Sequence, residues 1–426
     1  MEKKIAFISD HASPLASLGG VDSGGQNVYV AQTAIELASL GYDVDVFTRW
    51  EDPELPMVYE WKPCIRVIHI KAGAIECLPK EQLLPLMDEF KVNMVNFIRN
   101  QQQQYLLVHA HFFMSALVAD HIRKEIGIPY VVTFHALGII RRIHQGEDDK
   151  FPSERIDIER QIVANADKII AECPQDKKDL IHFYDARESS ISVIPCGFNP
   201  SEFQPVPKTQ ARSILGLDPD ERILLQLGRM VPRKGVDNVI RSVARLRDLG
   251  TSCKLLIVGG ENDCPNPTTP ELKRLQRIAE EENVSDQILF IGNKKRDELK
   301  YYYSAADLFI TTPWYEPFGI TPLESMACGT PVIGSNVGGI KYTVVNGKTG
   351  LLVPPNDPKT LALNVNLVLN NPDWHAAMRR HCVSRVNALF TWRHVAQMMA
   401  EVYEEVQLTE FASKKTRDEK KKSRAA

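Results

Sequence analysis

The chain of 426 residues has no apolar run near the ~18 residues that would cross a bilayer as a helix, and the apolar stretch in its amino terminus, "MEKKIAFISD", is too short for a secretory leader. The reading is a cytoplasmic protein without stable membrane insertion. An excess of one charge is also missing, because 51 Lys and Arg face 54 Asp and Glu, a formal net charge of −3. No general attraction to nucleic acid or anionic lipid follows. Eight cysteines (64, 77, 173, 196, 253, 264, 328 and 382) lie scattered, without a C-x-x-C pair or histidines at zinc spacing. Reduced thiols are expected, with no disulfide frame and no structural zinc.

What is present is globular: 44% hydrophobic and 25% charged residues, in a chain too long for one ordinary core and natural for two domains. Short β-branched runs ("KIAFISD", "DVDVFTR", "IRVIHIKA", "LLVHAHF", "YVVTFHA", "KIIAEC", "ISVIPCG") alternate with amphipathic segments of helix length. That alternation predicts βαβ units and a parallel sheet covered on both faces. The same grammar restarts with "RILLQLGR", "KLLIVGG", "QILFIG", "LFITT", "PVIGSN" and "TGLLVP". Between the series, "PCGFNPSEFQPVPKTQ" holds four prolines and no periodicity, and reads as a linker from about Pro195.

The expected fold is therefore α/β, with two tandem Rossmann-like, doubly wound domains facing a cleft, residues 1–200 and 201–390. A helix over 391–410, with Thr391 as N-cap, could pack back on the N-terminal domain. Residues 411–426, "FASKKTRDEKKKSRAA", carry seven basic and two acidic residues and predict a disordered tail.

Two stretches suit phosphate. "LGGVDSGGQNVYVAQTAIELASLG" follows the first strand with paired glycines, Gly19 with Gly20 and Gly24 with Gly25, before a helix whose first amides favour an anion. Its spacing is not the dinucleotide fingerprint, which argues against a nicotinamide enzyme. "LLQLGRMVPRKGVDNVI" places Arg229 and Lys234 where a parallel strand ends, a fork and a point charge suited to a diphosphate. Metal candidates are weaker. "DVD" at 43–45 falls within a strand, and His109 and His111 share one strand face with no third ligand in view. Packing or an acceptor contact explains the histidines better.

"WYEPFGITPLESMACGTPVIGSNVGG" sets Glu316 and Glu324 eight positions apart. Thr321-Pro322-Leu323-Glu324 fits a capping box, with Thr321 at the N-cap and Glu324 reaching back. Eight residues of helix span ~12 Å, too far for a glycosidase carboxyl pair at ~5 to 9.5 Å unless the loop folds back. Two carboxylates binding separate hydroxyls of one elongated ligand fit better, and a nucleotide sugar is such a ligand.

With "EPFGITPLE" followed by "SMACGTPVIGSNVGG" and "NGKTGLLVPPND", residues 1 to about 405 resemble the family-4 retaining glycosyltransferases of GT-B type. "GVDSGGQNVYV" and "HALG" look like the branch holding the inositol-phosphate and sucrose-phosphate enzymes. The resemblance implies catalytic roles for Arg229, Lys234, Glu316 and His135. Gly24, Gly25, Arg229, Lys234, Glu316, Phe318, Gly319 and Glu324 would bind the donor, Glu324 through its ribose. Asn27, Lys80, His111, His135 and Arg155 would bind the acceptor, His135 also placing its carbonyl near the transferred sugar. Phe112 and Ala136 depart from the inositol-phosphate pattern, which has Tyr and Thr there.

The implied reaction moves a hexosyl group from a nucleoside diphosphate sugar, UDP-glucose or UDP-N-acetylglucosamine, to a small hydroxylated acceptor, either phosphorylated or not, with the configuration retained. The leaving diphosphate takes the acceptor's proton, so no side-chain base is named. The donor is a co-substrate, and neither cofactor nor metal is implied. The expected partners are small-molecule donor and acceptor sugars, no nucleic acid, and at most a second copy of the chain as a homodimer. Two rival readings are a nucleotide-sugar epimerase and a sugar-nucleotide-binding protein without catalysis.

Overall fold

The structure, a computed structural model, describes residues 3–16, 24–101, 104–260, 265 and 269–425. Gly19, Gly20 and Cys264 lie outside them. The chain divides into two compact units: residues 1–16, 25–195 and 392–426 form the first, and residues 17–24 and 196–391 the second.

The first unit holds β1 (Lys3–Ile8), β2 (Tyr42–Arg49), β3 (Val58–Lys62), β4 (Ile65–Ile70), β5 (Val108–His111), β6 (Tyr130–Thr133), β7 (Lys168–Ala171) and β8 (Ile191–Val193). They lie in the order β3-β4-β2-β1-β5-β6-β7-β8, parallel except where β3 pairs antiparallel with β4. The fully buried strands β5 and β6 and the nearly continuous burial of β1 and β2 are what a parallel sheet with helices on both faces demands. β3, "VYEWK", is an addition the apolar pattern did not announce. As an edge strand it is mostly exposed, so it carries no buried run. The order reverses between β1 and β5, the point where such sheets open a crevice at their carboxyl ends.

The final helix, Trp392–Ala425, belongs to the first unit. Trp392, Val395, Ala396, Met399, Val402, Tyr403 and Val406 are buried at helical spacing. The Tyr403 hydroxyl meets His109 Nδ1 at 2.7 Å, and Lys168–Glu405 (2.7 Å) and Arg123–Glu410 (2.7 Å) flank the stripe. The backbone stays helical through 411–425, where composition suggested disorder. Lys, Arg, Glu and Ala are all good helix formers, so a helix already nucleated against the sheet can propagate through them.

The second unit holds β9 (Ile223–Leu227), β10 (Lys254–Val258), β11 (Ile288–Gly292), β12 (Leu308–Thr311), β13 (Val332–Ser335) and β14 (Gly350–Val353), parallel throughout in the order β11-β10-β9-β12-β13-β14. The reversal here lies between β9 and β12, so the residues just after these two strands face one crevice. Those residues include Arg229, Lys234 and Glu316.

Candidate active site

In the second unit the chain leaves β9 through Gly228 and Arg229 into a short 3-10 turn, Pro232–Lys234, that ends at Gly235 with φ +64°. A Cβ at Gly235 would stand 2.1 Å from the Thr312 carbonyl oxygen, so only glycine lets this turn lie against the end of β12. The Trp314 amide donates to the Arg233 carbonyl at 2.9 Å, and the Lys234 ammonium is bonded directly to the Glu316 carboxylate. The Arg233 guanidinium sits 5.3 Å from the Tyr315 ring centroid, and its Nη1 is buried without a partner. Gly24 groups with this unit, where a Cβ added to it would lie 3.9 Å from Arg229 Cδ.

Charge explains the cluster. Burial works against ionisation of Glu316, but Lys234, Arg233 and Arg229 outweigh it and hold its pKa below the ordinary glutamate value. Lys234 moves the same way: burial first, then repulsion from Arg233 and Arg229, lower its pKa against the pull of Glu316. Around Glu316, three cations face one anion, and their charge outweighs the effect of burial on its carboxyl.

The loop beyond Glu316 is held by close backbone approach. Gly339 donates its amide to the Glu316 carbonyl at 3.2 Å, and a Cβ on Gly338 or Gly339 would fall 1.8 Å from the Glu316 oxygen or 2.3 Å from the Phe318 oxygen. Phe318 is buried, and Gly319, at φ +90°, turns the chain into the helix Ile320–Ala327. The capping box expected at Thr321 does not form. The helix starts at Ile320 with Gly319 as its cap, because a positive-φ glycine turns the chain before Thr321 is reached. Glu324 is thereby freed from capping. Its carboxylate, 3% exposed, accepts from Arg296 Nη1 (3.0 Å) and the Tyr303 hydroxyl (3.0 Å). Arg296 is itself paired with Glu202, lies 4.8 Å from the Phe203 ring centroid, and keeps Nη2 buried and unpartnered. Glu316 and Glu324 are thus held by different cations.

In the first unit, β5 carries His109 and His111 on one face. Burial lowers the pKa of both, to about 3 for His109, so these imidazoles are neutral. His109 is spent on Tyr403 and on Thr133 Oγ1 (2.9 Å), a packing role. His111 Nδ1 meets His135 Nε2 at 3.2 Å, and its own Nε2 is buried without a partner. His135 follows β6 in a left-handed conformation, φ +58°, with Nδ1 3.0 Å from Glu172 Oε1. Asn27 Nδ2 donates to the Ser13 carbonyl at 3.0 Å, from the helix Gly25–Ser39 that Gly25 opens. Lys80 begins a short 3-10 turn, Lys80–Gln82.

Arg155 is held within the protein through two of its three guanidinium nitrogens, and its Nη1 is buried without a hydrogen-bond partner. It donates to Glu159 Oε1 (2.7 Å) and the Ala136 carbonyl, and its guanidinium lies 4.7 to 4.8 Å from the ring centroids of Phe112, Phe113 and Phe151. Asp45 of the "DVD" string is a buried ion-pair partner of Arg66 (2.6 Å) and Lys4 (3.2 Å). Among the described residues no three His, Cys, Asp or Glu are grouped as a metal site, the seven described cysteines are unbridged, and no helix is long and apolar enough to cross a membrane.

Sequence reasoning missed Arg233, Arg296, Glu172 and Asp176. Arg233 stood within a motif already singled out. Arg296 and Glu172 meet Glu324 and His135 only through the fold, whereas Asp176 meets the Glu172 amide locally, four positions away.

Comparison with known proteins places this geometry in a class. Residues 23–202 match the family described as Glycosyltransferase Family 4, and residues 207–385 the family described as Glycosyl transferases group 1. The chain belongs to these glycosyltransferases and is a hexosyl-transferring enzyme of GT-B type. A D-inositol 3-phosphate glycosyltransferase of Corynebacterium jeikeium is 35% identical over 409 residues, covering 95% of this chain and 97% of that one. One from Streptosporangium roseum is 33% identical over 408 residues, covering 94% and 92%. The solved structure of sucrose-phosphate synthase from Thermosynechococcus elongatus superposes with a TM-score of 0.87 at 34% identity, covering 96% of this chain and all of that one. Anabaena HepE in complex with UDP and glucose, at 19% identity and a TM-score of 0.73 over 94% and 99% of the two chains, shares the fold.

Proposed function

We propose that the enzyme transfers a glucosyl or N-acetylglucosaminyl group from its UDP ester to a hydroxyl of a small phosphorylated polyol or sugar, with the anomeric configuration retained. The observation that carries this reading is the positive cluster of Arg229, Arg233 and Lys234 around Glu316 at the β9–β12 crevice. As the anomeric bond loosens, negative charge grows on the leaving diphosphate, and fixed cations stabilise that charge without reorganising. Lys234 would then exchange part of its bond to Glu316 for phosphate, releasing the carboxylate to accept from sugar hydroxyls. Glu324, already oriented by Arg296 and Tyr303, would accept from the ribose. The amides of Phe318 and Gly319 lie where the backbone turns into the helix, and are assigned to the sugar.

On the acceptor side the reading assigns the His135 carbonyl to the transferred sugar, and Asn27 and Lys80 to the acceptor. Arg155 and His111, both enclosed in protein, support that surface from behind. The leaving phosphate takes the acceptor proton. The relatives named above include D-inositol 3-phosphate glycosyltransferases and a sucrose-phosphate synthase, and Phe112 and Ala136 weigh against simple transfer of the inositol preference.

The test is a panel of UDP-, ADP- and GDP-sugars against inositol 3-phosphate, fructose 6-phosphate, fructose and glycerate, read by mass spectrometry, with product configuration read by NMR. A retained α-glycoside on a phosphorylated acceptor is the expected product. An isomerised donor sugar formed without acceptor would replace this reading with an epimerase, and binding without any product would replace it with a carrier.

A further inference from the structure

The turn His135–Gly138 is fixed by three carboxylate or guanidinium contacts from separate helical or strand-end positions. Arg155, on the helix Glu154–Asn165, donates to the Ala136 carbonyl. Glu159, on the same helix, accepts from the Gly138 amide at 2.9 and 3.1 Å and from the Tyr184 hydroxyl. These two hold the middle and end of the turn by its backbone. Its first residue, His135, is the one in a left-handed conformation, which is unfavourable for a non-glycine residue and persists only when the surroundings impose it. Glu172 and His111 both hold His135 through its side chain.

That side chain is held by Glu172, just beyond β7. The Glu172 and His135 side chains are 5% and 9% exposed, so the contact is nearly dry. A carboxylate facing Nδ1 fixes the proton there, leaving Nε2 of His135 as the acceptor that meets His111 Nδ1 at 3.2 Å. The His111 and His135 rings lie near parallel, at 19° with centroids 5.4 Å apart, joined by that contact. Glu172 is in turn set by its backbone, whose amide donates to Asp176 Oδ2 at 3.0 Å at the start of the helix Pro174–Tyr184.

From this geometry we propose that Glu172 is a positioning residue for hexosyl transfer: by holding the His135 imidazole it fixes the left-handed turn that presents the His135 carbonyl to the sugar. The proposal rests on the assignment of that carbonyl in the functional reading above. It separates Glu172 from a catalytic acid, since its carboxylate faces the imidazole and not a substrate. The consequence of loss is a mobile carbonyl, and displacement of a positioning group by ~1 Å costs on the order of 10²-fold in rate.

The experiment measures transfer, donor hydrolysis and UDP affinity in Glu172→Ala, Glu172→Gln, His135→Ala and the double variant His135→Ala with Glu172→Ala. Glu172→Ala is expected to lower kcat on the order of 10²-fold with donor KM and UDP affinity within about threefold of wild type, and to raise the hydrolysed share of donor. Glu172→Gln still accepts from Nδ1–H and is expected to recover to within about tenfold of wild type. In the double variant the Glu172 change should cost nothing beyond His135→Ala, because it acts through that ring. Wild-type turnover in Glu172→Ala, or additive losses in the double variant, overturns the proposal. A glutamine variant as impaired as alanine, with melting temperature and UDP affinity falling together, does so as well. Wild-type enzyme that transfers no hexose overturns the functional reading itself, which keeps the two failures apart.

Discussion

Glu316 and Glu324 stand eight positions apart in the sequence and are put to unlike uses by their neighbours: one is bonded to Lys234 within a cluster of cations, the other is fixed by Arg296 and Tyr303. Replacing Arg229 or Lys234 with alanine should reduce kcat by roughly 10²- to 10³-fold, the scale of one lost charge-stabilising contact, in steady-state assays with the donor identified by the panel. Replacing Glu324 with glutamine should weaken UDP binding in calorimetry more than it slows the chemical step. A third prediction concerns Asp176. Burial, then the nearby charge of Glu172, push its pKa up to about 8, with Asp179 adding to the shift. A carboxyl raised in the folded state contributes stability that is whole below its unfolded pKa near 4 and is lost as pH rises through about 8. The melting temperature should therefore fall across that window, and Asp176→Asn, a neutral mimic of the protonated acid, should flatten the fall in pH-dependent differential scanning fluorimetry. Arg229, Lys234 and the two glutamates were legible because each lies in a short local string. Glu172 was not, because it meets His135 across 37 residues and Arg296 meets Glu324 across 28, distances at which only the sheet order decides who is adjacent.

The elements around the donor loop depend on backbone rather than side chains. Gly338, at φ +43°, has no room for a Cβ against the Glu316 carbonyl, so Gly338→Ala must displace the loop that carries Glu316. It should destabilise the second unit by more than about 1 kcal/mol in denaturant titration and reduce activity while leaving the first unit's stability unchanged. The paired glycines were visible in "SNVGG", but their purpose was not, since close approach is a property of two segments and only one was in view. The central strands were legible for the opposite reason: a parallel strand buried on both faces shows as an unbroken apolar run. The edge strand Val58–Lys62 has no such run, and the capping-box reading at Thr321 failed because local pattern does not reveal that Gly319 has already turned the chain.

At the scale of the molecule, the first unit is assembled from three separated stretches of sequence, with most of the second unit lying between the last two. The buried stripe from Trp392 to Val406 closes over β1, β5 and the helix Gly25–Ser39, where Trp392 and Tyr29 meet edge to face at 5.6 Å. A chain ending at Thr391 should therefore lose the first unit's cooperative transition in scanning calorimetry while still binding UDP through the second. During synthesis, residues 1–195 leave the ribosome without the helix that completes their core. At ~5 to 20 residues per second the missing piece follows only after on the order of 10 to 40 s, time in which the intervening unit can finish first. Until then the exposed sheet is where a nascent-chain chaperone would find its target.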